Sequence, residues 1–205
     1  MILHEPDAIE ARSMEIIESE LPHEIPADRK DIVKRVIHCT ADFDYADTLA
    51  FSEHAVEKAL EALGAGCRIV TDTQMARSGI NKAAAGRLGC ELHCFMSDPD
   101  VAAEAKARGC TRAMISVERA LSLRGPLIFV CGNAPTALLS AAELIRAGRF
   151  SPALVIGVPV GFVNILESKE AIMASGAEYI VSRGRKGGSN VAAAIVNALM
   201  YRLTR

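Results

Sequence analysis

The 205-residue chain contains no tryptophan, and aromatic residues make up only 4% of it. So few rings leave no platform on which the bases of a single-stranded nucleic acid could stack. The formal net charge is −2, too near neutral for a general DNA binder. No run of about 18 apolar residues occurs, so nothing reads as a membrane span. The first residues lack a basic stretch followed by an apolar one, so no secretory signal is expected and the cytoplasm is the expected compartment. The six cysteines (Cys39, Cys67, Cys90, Cys94, Cys110 and Cys131) include no Cys-x-x-Cys pair, as expected of a reduced protein. Cys90, His93 and Cys94 are close in sequence, but on a strand the histidine faces away from both thiols, so no metal site is expected. Nucleotide signatures are missing too. No GxGxxG follows the first strand-like run, and Gly184–Ser189 (GRKGGS) lacks the spacing of a P-loop. There is no GxSxG nucleophile elbow, and no aromatic platform that would suit a sugar.

Half of the residues are hydrophobic, which excludes disorder as the main theme. A domain of this length should bury roughly 70% of its unfolded surface without a disulfide or metal staple. Residues 1–50 carry 12 acids against 5 Lys/Arg, whereas residues 51–205 carry 13 acids and 18 Lys/Arg. That asymmetry suits a self-complementary interface between copies of the chain.

From residue 67 onward, short apolar runs alternate with helical patterns. The expected strands are Cys67–Thr71, Glu91–Phe95, Leu127–Cys131, Leu154–Val158 and Glu178–Val181. The expected helices are Gly79–Leu88, Pro99–Arg108, Thr136–Ala147, Val163–Ala174 and Ser189–Leu203. Asp98-Pro99 reads as a helix start, and Gly89, Gly109, Gly148 and Gly176 read as helix stops. The pattern predicts an α/β, three-layer sandwich around a five-stranded parallel sheet; the strand order is not readable from one sequence, and the strand count and helix lengths favour a flavodoxin-like one. Residues 1–66 read as a helical arm, with helices over Pro6–Glu20, Asp28–Ile37 and Ser52–Leu63. Residues 67–205 form the βα sandwich, and the whole chain reads as one domain.

In such a fold, ligands lie beyond the carboxyl ends of the strands, near a topological switch. The loops there are rich in Gly, Pro and small polar residues: Asp72–Gly79, Gly132–Thr136, Pro159–Val163 and Arg183–Asn190. Glycines let backbone amides approach a ligand, and helix N-termini favour anions. Together they point to a ligand bearing carboxylates or phosphates. His38 ends an apolar stretch and precedes a loop holding Thr40, Asp42, Asp44 and Asp47, so it is the histidine best placed to exchange a proton.

The chain resembles the precorrin-8X methylmutase family of corrin (vitamin B12) biosynthesis nearly from end to end. Six stretches carry the resemblance: Ile9–Ile17 (IEARSMEII), Arg35–Thr40 (RVIHCT), Val70–Gly79 (VTDTQMARSG), Gly132–Leu138 (GNAPTAL), Gly157–Val163 (GVPVGFV) and Gly184–Ala198 (GRKGGSNVAAAIVNA). The resemblance implies an isomerase that moves a methyl group from carbon 11 to carbon 12 of the macrocycle, giving hydrogenobyrinic acid, or cobyrinic acid when cobalt is present. It implies a tetrapyrrole substrate, a homodimer, and no need for a cofactor or S-adenosylmethionine. The family's catalytic histidine falls on His38, and its substrate-binding arginines fall on Arg12 and Arg35. The candidate binding set is completed by Ser13, Asp72, Thr73, Arg77, Gly132, Asn133, Thr136, Lys186, Gly187 and Ser189. Cys39 follows the histidine where a small residue is expected, and it gives no evidence of a thiol nucleophile. Two other classes compete: a phosphate-ligand or methyltransferase-like α/β enzyme, and a corrinoid carrier that binds without turnover.

Overall fold

The sheet has six strands: β1 (Leu49–Phe51), β2 (Arg68–Thr71), β3 (Glu91–His93), β4 (Leu127–Cys131), β5 (Leu154–Gly157) and β6 (Tyr179–Ser182). They are taken from a computed structural model that describes residues 4–205. Their order across the sheet is β1-β6-β5-β4-β2-β3. The five strands from β2 to β6 are parallel, in the expected flavodoxin-like order. The winding reverses between β2 and β4, so the topological switch lies at their carboxyl ends.

The expected count of five strands is corrected to six by β1, which runs antiparallel to β6, with Leu49 opposite Ser182 and Phe51 opposite Ile180. The expected helical arm therefore contributes an edge strand. Three residues are too few to show a period, which is why the run was not legible. The arm's helices are α1 (Pro6–Glu20), α2 (Lys30–Thr40), the single turn α3 (Tyr45–Thr48) and α4 (Ala55–Gly64).

The other helices are α5 (Gln74–Gly79), α6 (Lys82–Arg87), α7 (Pro99–Arg108), α8 (Arg112–Ala120), α9 (Pro135–Arg146), α10 (Ile165–Met173) and α11 (Ser189–Thr204). The helix expected over Gly79–Leu88 is α6, and a separate short helix, α5, precedes it. Thr73 caps the first of the two, its hydroxyl accepting from the Ala76 amide at 3.0 Å. Asn81 caps the second in the same way, accepting from Ala84 at 3.0 Å. Helix α8 was not expected. Its signal is the Thr111 cap followed by Ala113, Val117 and Ala120 on one face.

Alternate residues of the central strands build two cores. Ile69, Ile128, Val130, Leu154, Ile156 and Ile180 pack beneath α2, α4, α6 and α11. Val70, Phe129, Cys131, Val155 and Val181 pack beneath α8, α9 and α10. Period-two alternation with both faces apolar explains why these strands read as continuous hydrophobic runs.

Candidate functional site

At the switch point, Asp72 follows β2 and is buried. Its carboxylate accepts the backbone N–H of Gly132 at 2.9 Å, of Asn133 at 2.7 Å and of Ala134 at 2.7 Å. The Cys131 thiol donates to it at 3.3 Å. Asp72 therefore faces the protein and fixes the β4–α9 loop. Burial and the neighbouring Asp72 carboxylate push the Cys131 thiol well up, so it is no nucleophile.

Thr73 and Ser189 meet hydroxyl to hydroxyl at 2.7 Å. Gly132 closes the same point, for a Cβ there would lie 2.7 Å from Ser189 Cα. The structure thus brings Thr73, Gly132 and Ser189 together where the ends of β2 and β4 meet the N-terminus of α11. Gly188, at the N-cap, has no side chain to cap that helix, so its first amides lack an intrahelical partner. Asn133 is exposed beside them. Thr136, in the first turn of α9, meets the Thr111 hydroxyl at 3.0 Å.

The β6–α11 turn runs from Arg183 to Gly188. Gly187 passes so close to the Val158 carbonyl that a side chain would overlap it. Gly188 N–H donates to the Val158 oxygen at 2.8 Å. Lys186 reaches from this turn to Asp42 and Asp44, 2.6 Å from each carboxylate. The carboxylates raise the Lys186 pKa, and the ammonium in turn holds Asp42 below the usual carboxylate range.

That clamp lies just beyond His38. The expected helix end at Ile37 is corrected to Thr40, so His38 sits in the last turn of α2 and not in a loop. The Thr40 hydroxyl bonds back to the Val36 carbonyl at 2.8 Å, and Ala41 closes the helix in the left-handed conformation, with φ 54°. His38 is exposed, and Asp42 and Asp44 turn to Lys186. The Cys39 thiol lies 3.9 Å from the Asn190 carbonyl, which sets this end of α2 against the start of α11.

A groove of about 270 Å³ continues between α2 and α11, lined by Arg35, Cys39, Gly79, Asn190, Asn197 and Tyr201. Arg35 bonds Glu10 at 2.6 Å and lies over the Tyr201 ring at 5.3 Å. On its other side, a cleft of about 720 Å³ is bordered by Met14, Ile25, Lys30 and Lys34. Arg12 and Ser13 lie on α1, with Arg12 paired to Glu15 at 2.9 Å and Ser13 bonded to the Ile9 carbonyl. Arg77 is exposed and uses only Nε, donating to the Leu92 carbonyl at 3.1 Å. Apolar side chains stand out along the rim, with Met75 72% exposed, Phe162 83% and Val163 74%.

The sequence-based set missed Lys169. Its signal was a cation on the apolar stripe of α10, spaced with Ile165, Ser168 and Ile172, all of which are buried. His93, on β3, lies 3.2 Å from the Glu91 carboxylate and stacks on Phe95.

A family model described as precorrin-8X methylmutase matches residues 8–202. The cobalt-precorrin-8 methylmutase of Salmonella typhimurium is 46% identical over 208 residues, covering 98% of this chain and 97% of that one. The protein of the same name from Leptospira interrogans is 44% identical over 201 residues, covering 94% and 91%. A crystal structure of a precorrin-8X methylmutase from Thermus thermophilus superposes with a TM-score of 0.89 at 43% identity, covering 95% of each chain.

Proposed function

The chain belongs to the precorrin-8X methylmutase family, and we propose that its own residues carry the family's reaction as follows. It is an isomerase of cobalamin biosynthesis. It moves a methyl group from carbon 11 to carbon 12 of precorrin-8X or cobalt-precorrin-8, giving hydrogenobyrinic or cobyrinic acid. One observation carries this: the family match runs through all six motifs, and four of the motifs supply His38, Thr73, Gly132, Lys186 and Ser189, of which Thr73, Gly132 and Ser189 meet at one point while Lys186 reaches Asp42, four residues after His38.

The shift is unimolecular, so the protein contributes position and electronic tuning. His38 donates a proton or hydrogen bond to a pyrrole nitrogen or ring carbon of the substrate. That draws electrons from the conjugated system and lowers the migration barrier. Its exposed place at the end of α2 supports this, because no carboxylate among the described residues pairs with the imidazole and the ring is open to a ligand. Arg12, Arg35 and Arg77 grip peripheral carboxylates, as planar guanidinium groups do bidentately. Arg12 and Arg35 already hold Glu15 and Glu10. The exposed Arg12–Glu15 pair contributes at most about 1 kcal/mol, so its exchange for a substrate carboxylate costs little. Lys186 exchanges Asp42 and Asp44 in the same way. Ser13, Thr73, Asn133, Thr136 and Ser189 supply neutral hydrogen bonds, Gly132 and Gly187 give close backbone approach, and Asp72 acts through the loop amides it holds. Met75, Phe162 and Val163 offer apolar cover for the ring.

The chain works in the cytoplasm as one domain and as a homodimer. The pairing of β1 with β6 and the packing of α2 on α11 support the single domain. The acidic first fifty residues, the basic remainder and the exposed Ile9 and Ile16 of α1 support the homodimer. The open groove and cleft beside Arg35 also suit completion by a second copy.

The test mixes the purified protein with metal-free precorrin-8X and, separately, with its cobalt form, and follows absorbance, because the shift changes the chromophore. Conversion of either form is expected, and the faster one identifies the natural substrate. A shifted spectrum without conversion would mean a corrinoid carrier. No response, together with a melting temperature raised by nucleotides or S-adenosylmethionine, would mean a phosphate-ligand or methyltransferase-like enzyme.

A further inference from the structure

We infer that Lys169 is a positioning residue: its buried ammonium holds the Arg183–Gly188 turn in the shape that binds substrate. The inference rests on the proposed binding role of that turn. Lys169 projects from α10 into the protein and is only 2% exposed. Its Nζ donates to the Ser182 hydroxyl at 3.2 Å, to the Gly184 carbonyl at 2.8 Å and to the Lys186 carbonyl at 3.0 Å. An ammonium has three donors and no acceptor, so three oxygens from three residues use it fully. All three are neutral. A buried cation that meets no carboxylate among the described residues is costly to keep, and burial pushes its pKa down to about 8. A residue kept at that cost does more than fill space.

What it holds is a turn with little strength of its own. The backbone passes through Gly184 at φ 76° and Gly188 at φ 135°, and glycine fixes neither. The Ser182 hydroxyl, which accepts from Lys169, donates to the Lys186 carbonyl at 2.9 Å. Two protons thus converge on that carbonyl and pin the residue whose side chain reaches Asp42 and Asp44 beyond His38. The opposite rim is fixed by Gly161 N–H on the Arg185 carbonyl at 3.2 Å and by Gly188 N–H on Val158. Lys169 therefore joins the end of β6, the turn and α10 beneath the mouth of the site, and touches no substrate itself.

The test is Lys169→Met, which keeps the length and the apolar stem and deletes the three donors. Amide hydrogen exchange is read on peptides covering 158–164 and 183–190, beside KM and kcat for the faster of the two precorrin-8 substrates. Exchange of the Gly161 and Gly188 amides is expected to rise about tenfold, with the strands β2, β4 and β5 unchanged. KM is expected to rise about tenfold, with kcat held within about twofold, because the chemistry at His38 is untouched. A merely structural lysine would lower the active fraction and the melting temperature and leave KM alone, and that result overturns the inference. So does unchanged exchange in the two peptides. Should Lys169→Met not fold, Ser182→Ala carries the test, with an expected rise of about threefold in exchange and KM. Lys186→Ala separates the two claims. If it raises KM while Lys169→Met does not, the turn binds substrate without help from Lys169. If exchange rises in Lys169→Met but neither variant changes KM, the turn is no part of the binding site and the inference falls with it.

Discussion

Replacing Asp72 by asparagine removes one charge and changes almost no shape, yet it strikes the join between β2 and β4. In the native chain one carboxylate oxygen takes the Gly132 N–H, and the other takes those of Asn133 and Ala134. In Asp72→Asn the amide oxygen does best by keeping the second position. Its NH2 group then points at the Gly132 N–H, donor against donor. One charge-assisted bond is lost outright, and two fall to neutral strength. With charged bonds worth about 1.5–3 kcal/mol and neutral ones about 1 kcal/mol, the cost is about 5 kcal/mol. At this chain length, that lowers Tm by roughly 10–20 °C. Urea unfolding followed by circular dichroism, paired with calorimetry, measures it. Turnover should fall as well, because the Gly132–Ala134 amides lose their register against Ser189. A loss below about 0.5 kcal/mol would refute the claim that Asp72 organises the site from inside.

Other expectations follow from single contacts. Gly187→Ala places a methyl group into the Val158 carbonyl, so it should cost at least about 2 kcal/mol in urea unfolding and weaken substrate binding. Lys169 carries a pKa near 8 in the fold against about 10.4 in the unfolded chain, so the unfolded state binds more protons between those values. Its charge therefore opposes folding below pH 8, and that penalty fades as pH rises to about 10.4. The stability of wild type relative to Lys169→Met should accordingly rise over that window in urea melts; a flat difference would contradict it. For Asp42 the sign is reversed. Lys186 keeps its folded pKa low, so the stabilisation is present above the unfolded value of about 3.9 and lost as pH falls through the folded one. Lys186→Ala should shift the acid-unfolding midpoint upward, and an unchanged midpoint would count against the clamp.

Much of this molecule is legible in its sequence, for identifiable reasons. Strands β4 and β5 are covered on both faces, so they appear as unbroken apolar runs. Helices α1 and α7 each open on a proline, which marks the start of Pro6–Glu20 and Pro99–Arg108 without ambiguity. Strand β1 is set by pairing with a partner more than a hundred residues away, and no local pattern announces it. The site divides in the same way. The loops of the switch point follow from the βα alternation, and His38 from the resemblance. The inward role of Asp72 does not, because its partners are backbone amides sixty residues on. Lys186 belongs to the binding set read from the sequence, but its pairing with Asp42 and Asp44 is not legible, since nothing local shows that the turn and the Asp42–Asp44 loop meet. Lys169 stood in plain view on an apolar helix face, but only the fold reveals which oxygens it serves.

The most direct test of the central claim compares wild type with His38→Ala on the substrate that turns over faster. A general acid supplies roughly 10²–10⁴-fold, so kcat should fall by that factor while the product still binds and shifts its spectrum. Turnover by His38→Ala at the wild-type rate would contradict the account, and the proton would have to come from elsewhere.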